Sequence, residues 1–255
     1  NETWSDVHSG QCSFPNDNFI KSTSEKSGKL AFLFMISDNL DWIDLWNKFF
    51  NNINTNYYKV IIHRSNPNNE FNNLSFPYKI INTVDSSWCK LVGVKKALIN
   101  EALLDNNISG CIFISNHCIP IKKFDYIRNL YLSQNNSILR FSNPDFTKAS
   151  LWCYLNRKFM NSYVNCDTNN LSSGGCQEEM FLGKIIRKFN LKVIHGIVTF
   201  DCWNKSDLEF VNNSDLTKFT PLQFENLNAK LLNFLNKSQI SFLRTGNFNN
   251  NNFNL

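Results

Sequence analysis

The 255-residue chain has no pair of cysteines spaced as Cys-x-x-Cys, although it carries eight cysteines. That spacing is what a structural zinc site needs, so zinc is not expected. Neither Gly-x-Gly-x-x-Gly nor Gly-x-x-x-x-Gly-Lys-Ser/Thr occurs. Their absence argues against the usual dinucleotide fold and against a P-loop nucleotidase. No apolar run reaches the roughly 18 residues that span a bilayer, and no signal peptide is visible. Nor is there a block of basic charge. Lys95-Lys96, Lys122-Lys123, Arg157-Lys158 and Arg187-Lys188 are scattered pairs, unlike the clustered charge of a nucleic-acid binder. No nucleic-acid partner is expected.

What is present describes a folded domain. Hydrophobic residues make up 42% of the chain and charged residues 18%, enough to build a sizeable core. The net charge of +5 suits an anionic small ligand, and equally suits ordinary solvated faces. An even number of cysteines is compatible with disulfides in an oxidising lumen. The sequons Asn1-Glu-Thr, Asn73-Leu-Ser, Asn107-Ile-Ser and Asn170-Leu-Ser point the same way, weakly in so Asn-rich a chain.

Strand and helix patterns alternate. Leu30–Ile36 is a continuous apolar run, as in a strand buried on both faces. Asp38 or Asn39 can cap a helix whose apolar face is Leu40, Ile43, Leu45, Trp46, Phe49 and Phe50. Further strands are expected at Tyr57–His63, Cys111–Ser115, around Ser137–Phe141 and Ser150–Leu155, within Val193–Phe200, and at Ile240–Leu243. Helices are expected at Leu91–Leu104, Phe124–Leu132, Gln177–Phe189 and Pro221–Leu235. The whole is an α/β layered fold in one domain over residues 29–248. It is preceded by a flexible arm (1–28) and followed by an Asn-rich tail (249–255).

Four segments, in order, resemble the core-2/I-branching β-1,6-N-acetylglucosaminyltransferase family, which includes the peptide O-xylosyltransferases. The first is Lys29-Leu-Ala-Phe-Leu-Phe-Met, closing with Val60-Ile-Ile-His63. The second is Ser87-Trp88, Ala102-Leu-Leu-Asp105 and Ile112-Phe-Ile-Ser-Asn-His-Cys-Ile-Pro-Ile121. The third is Ala149-Ser-Leu-Trp152, Leu155-Asn-Arg157 and Glu178-Glu-Met-Phe-Leu182; the fourth is Thr220-Pro-Leu-Gln-Phe224 and Ser241-Phe-Leu-Arg244. The resemblance implies a GT-A-like fold, a mixed sheet flanked by helices. It implies inverting, metal-independent transfer of a sugar from a UDP-sugar, GlcNAc ahead of xylose, to a glycan or glycoprotein acceptor. It also implies a lumenal protein of the Golgi, the ectodomain of a type II membrane protein anchored upstream. The alternative is a non-catalytic carbohydrate-binding or scaffolding domain that kept the fold.

The family's acidic pair matches Glu178-Glu179. By that match Glu179 is the general base, and Glu178 an acceptor-binding neighbour or one that shifts the base's pKa. Adjacent helical side chains diverge by about 100°, so both cannot serve one atom equally. As plain residues, the two are acids in a first helical turn, favoured by the dipole. Asp-x-Asp, which holds the metal in many GT-A enzymes, is absent. Asn116-His117-Cys118 stands in that loop. Arg244, with Lys205 and Lys218 as weaker candidates, is then expected to meet the diphosphate, with no cofactor and no metal ligand set. Ile36, Ser37, Asp38 and His63 stand at strand ends where a nucleotide binds in such folds. Ser87 and Trp88 resemble a donor-side motif. Trp152 and Trp203 resemble acceptor-side positions, where an aromatic face can pack on sugar or simply fill the core.

Overall fold

The computed structural model describes residues 27–37, 39–68, 71, 73–141, 145, 147–168, 176–200 and 241–244; Phe200, Leu243 and Arg244 are described by their backbone alone. The sequence expectations for Asp38, Trp203, Lys205, Lys218 and the helix at 221–235 lie outside these residues, as do most of the N-terminal arm and the Asn-rich tail.

Strand β1 (Lys29–Ile36) is the centre of the molecule. Its side chains alternate between two cores, as the pleat requires. Leu30, Phe32, Phe34 and Ile36 face one core; Ala31, Leu33 and Met35 face the other. Both faces being covered explains why the run is apolar throughout. Strands β2 (Tyr58–Arg64) and β4 (Ile108–Ser115) lie parallel to β1 on either side.

The remaining strands extend this into a mixed seven-stranded sheet of order β3-β2-β1-β4-β7-β6-β8. Here β3 is Lys79–Ile80, β6 Ser137–Leu139, β7 Tyr154–Asn156 and β8 Val193–His195. Strand β7 runs antiparallel to its neighbours β4 and β6, while β6 and β8 are parallel. Gly110 on β4 lets β7 approach: a Cβ there would stand 2.5 Å from a Tyr154 ring carbon. A smaller sheet, β5-β10-β9, joins β5 (Cys118–Pro120), β10 (Phe242–Arg244) and β9 (Thr199–Phe200).

Five helices cover the faces among the described residues. Helices α1 (Ile43–Phe50) and α3 (Phe124–Leu132) pack on the face of Phe32 and Phe34. Helices α2 (Val92–Leu103), α4 (Arg157–Asn165) and α5 (Gln177–Phe189) pack on the face of Leu33. The expected α/β fold with a mixed, helix-flanked sheet is thus what the chain adopts.

Three local differences have physical causes. Helix α1 starts at Ile43 rather than directly after Asp38 or Asn39; its N-cap is Trp42, in the left-handed region (φ 59°) with no side-chain cap. Leu40 is buried ahead of the helix. The strand expected at Ser150–Leu155 shrinks to Tyr154–Asn156, because residues 149–152 turn back on themselves: Ser150 N–H donates to Arg140 O, and Trp152 N–H to Ser150 Oγ. Helix α4 has no counterpart in the sequence reading. Asn156 starts it, its Oδ1 accepting the Phe159 N–H at 2.9 Å, and Phe159, Met160 and Tyr163 bury its face.

Candidate functional site

The chain leaves β1 to make β2 and β3 on one side, then returns to place β4 on the other. The connecting helices α1 and α2 lie on opposite faces. By that reversal the carboxyl ends of β1 and β4 are the topological switch point of the sheet, the place of the ligand crevice in open α/β sheets. The carboxyl ends of β2, β6 and β8 and the amino end of β7 share this edge, from the strand directions.

Ile36 ends β1 and is buried, while Ser37 beyond it is exposed. Across the crevice, β4 ends at Ser115 and is followed by Asn116 and His117. Asp41 ties this corner: its carboxylate lies 2.6 Å from His117 Nδ1, and its N–H donates to Asn116 O at 3.1 Å. Asp41 is a partner the sequence reading missed. Its distance of 76 residues from His117 carries no local signal. The smaller sheet begins at the same corner. Strand β10 runs antiparallel to β5, and the register sets the Arg244 backbone opposite Cys118.

His63 is at the end of β2, but it is buried, 1% exposed. Its Nε2 accepts the Val84 N–H at 3.0 Å, with the Val84 carbonyl at 3.3 Å. The shorter amide approach makes Nε2 the acceptor and leaves the proton on Nδ1. His63 therefore fastens the 81–88 segment to β2. Burial holds the imidazole below its usual 6.5, outweighing the opposing pull of the Val84 backbone. The unfolded chain then binds a proton that the folded chain refuses. The His63 contribution to stability is full above about 6.5 and declines as pH falls through that value. Chemical denaturation at pH 8 and pH 5.5 is expected to show a smaller acid-induced loss for His63→Asn than for the parent.

Beyond Val84, Ser87 and Lys90 form an isolated antiparallel bridge that turns the chain at Trp88 and Cys89. Trp88 is 74% exposed, so it is a surface ring and not core. Cys89 is bonded to Cys176, directly before α5. Gln177 N–H donates to Cys89 O at 3.0 Å. The first turn of α5, with its two acids, is thereby held beside the Trp88 turn.

The two acids diverge as the helical period requires. Glu178 points inward and is 1% exposed; its Oε2 accepts the Leu91 N–H at 3.3 Å. Glu179 stays at the surface with a side chain 19% exposed, and Lys148 Nζ is 3.1 Å from its Oε2. Burial raises the Glu179 pKa, and the negative Glu178 adds to this; Lys148 opposes both. The result is a carboxylate with greater proton affinity than an ordinary surface Glu. Lys148 carries no sequence signal, since it enters through a loop whose Ala149 N–H donates to Glu179 O.

Trp152 is buried, 7% exposed, in the core on the face of Leu33. Cys89, Cys176 and Glu178 offer three potential ligand atoms within 4.8 Å of one another. With both sulfurs engaged in the disulfide, no metal-binding set remains there.

Residues 30–146 match the family model described as Core-2/I-Branching enzyme. Over that stretch the chain is similar to core-2/I-branching enzymes. The match covers β1 to β6, and so the crevice and the Trp88 turn, and stops short of Glu179. A curated relative, Glycosyltransferase BC10 of Oryza sativa subsp. japonica, is 23% identical over 158 residues. The alignment takes in 52% of this chain and 39% of the rice protein, so the chain spans well under half of that relative's length. Among solved structures, S. aureus TarS 1-349 is 9% identical with a TM-score of 0.43, covering 62% of this chain and 55% of TarS. A197 from STIV is 10% identical with a TM-score of 0.38, covering 66% and 81%.

Proposed function

We propose that this chain, similar over residues 30–146 to core-2/I-branching enzymes, is the catalytic part of an inverting glycosyltransferase that needs no bound metal. The observation that carries the reading is Glu179, a partly exposed carboxylate of raised proton affinity whose helical turn pairs with Ala149, ahead of the amino end of β7 at the crevice edge. Inverting transfer requires one base, which removes the acceptor hydroxyl proton as the oxygen attacks the anomeric carbon from the face opposite the leaving UDP. Glu179 is that base. Lys148 opposes, without cancelling, the rise in proton affinity that burial causes.

The donor is a UDP-sugar, with GlcNAc ahead of xylose. It lies in the crevice between Ser37 and the Asn116–His117 corner, with Ser87 and Trp88 on its border. The corner offers an amide and an imidazole that already pairs with Asp41, in place of two free carboxylates. Positive charge for the departing diphosphate therefore comes from Arg244, whose strand borders the same corner. The acceptor is a glycan or glycoprotein hydroxyl, approached on the Glu179 side. Among the described residues no helix is long and apolar enough to cross a membrane. The Cys89–Cys176 bond favours an oxidising lumen such as the Golgi, reached by an anchor upstream.

A screen of UDP-sugars by UDP release, with mass analysis of the product, tests the activity; a chain that releases no UDP from any donor is a binder. Transfer is expected to persist in excess EDTA. Complete loss in EDTA with recovery on adding manganese would overturn the metal-free reading.

A further inference from the structure

Helix α2 begins after Leu91, whose own side chain offers no cap. The first N–H groups of any helix lack partners within it. Here the Leu91 N–H is taken by Glu178, 87 residues away on α5. A buried carboxylate at a helix amino end gains from the dipole, yet removing it from water is costly. Glu178 is thus a cap for one helix supplied by the first turn of another. Successive residues reinforce the junction. Cys176 is bonded to Cys89, Gln177 N–H donates to Cys89 O, and Glu179 O accepts the Ala149 N–H. The Glu178 carboxylate also lies within 4.8 Å of both disulfide sulfurs.

We propose that Glu178 and the Cys89–Cys176 bond are positioning residues for Glu179, locking the first turn of α5 against α2 and the Trp88 turn so that the base keeps one fixed place at the site. This rests on the reading of Glu179 as base. Glu178 then needs no contact with sugar; its work is to aim its neighbour. Releasing either restraint lets the turn shift, and a displacement of about 1 Å in a reacting group can cost about 100-fold in rate. It also lets water reach Glu179, whose proton affinity burial keeps high.

The test compares Glu178→Gln, Glu178→Ala and the double variant Cys89→Ser/Cys176→Ser in the full chain, with Glu179→Gln as reference. The amide oxygen of Gln can still accept the Leu91 N–H, so Glu178→Gln is expected to stay within about 3-fold of the parent kcat. The Ala and Ser variants are expected to lose about 100-fold in kcat with donor KM nearly unchanged. The acid limb of their kcat profile should move to lower pH, and the Leu91 and Gln177 amides should exchange hydrogen faster. A folded Glu178→Ala protein with parental kcat, or a loss with an unmoved acid limb, overturns the proposal. Should Glu178→Ala fail to fold, the same two outcomes in the Ser variant decide. An active Glu179→Gln protein would overturn the base assignment itself, a result distinct from an inactive Glu179→Gln protein beside a fully active Glu178→Ala.

Discussion

Glu179→Gln is expected to lower kcat about a thousandfold without weakening the fold. General-base catalysis is worth roughly 10²–10⁴-fold, and an amide of the same shape cannot take a proton. The stability expectation comes from the sign of the pKa shift. Glu179 binds its proton more tightly in the folded chain than an unperturbed Glu does. Its contribution is favourable below the ordinary carboxyl range and is lost as pH rises through the raised folded value. At neutral pH the buried charge therefore works against folding, and Gln relieves it. A melting temperature equal to or above the parent's, together with lost transfer, separates a base from a structural acid. In the parent, kcat should climb with pH across the raised Glu179 pKa. A Gln variant that keeps parental kcat would remove Glu179 from the mechanism.

The second large effect is structural. Phe32→Ala is expected to cost about 3–5 kcal/mol, read as a lowered denaturant midpoint at unchanged slope. Phe32 is fully buried at the middle of β1. Its ring meets Phe49 and Phe50 of α1 edge-on at 5.8 and 5.1 Å, Phe124 of α3 at 6.1 Å, and Phe242 of β10 at 6.5 Å. One side chain thus joins the large sheet, two helices and the small sheet. Truncation leaves a void between four rings fixed by different elements, so none can move in without leaving another partner. Phe32→Leu keeps most of the volume and should cost markedly less. An equal loss for Leu and Ala would show that edge-on ring contacts outweigh the void.

The frame was legible where packing is local or total. The apolar run Leu30–Ile36 could only be a doubly covered strand, and helices at Phe124–Leu132 and Gln177–Phe189 stand where their periodicity put them. The opposite fates of Glu178 and Glu179 follow from helical geometry. Helix α4 was hidden because Arg157-Lys158 and Asn161-Ser162 break up its apolar positions, and no acid marks its first turn. Only Asn156 announces it. At the site, the missing information was all long-range. Nothing near Trp152 says that it is buried in the core on the Leu33 face. Nothing near Leu91 says that a distant carboxylate caps it, and nothing near Lys148 says that it faces Glu179. A one-dimensional pattern reports which face of an element is apolar, not which element arrives to cover it.

The small sheet gives the site a timetable. Strand β5 is made early, at residues 118–120, but its partner β10 comes only at 242–244. Strand β9, at 199–200, depends on that same late strand. As the chain leaves the ribosome, the large sheet and all five described helices have their full sequence more than forty residues before β10 emerges. The Asn116–His117 corner must wait through that interval with β5 unpaired, an open edge that can recruit other strands. The strand that closes this edge also brings Arg244. On the proposed role of Arg244, closing the fold and completing the donor side become one event in biosynthesis, and a nascent chain is expected to gain activity only once it is sealed.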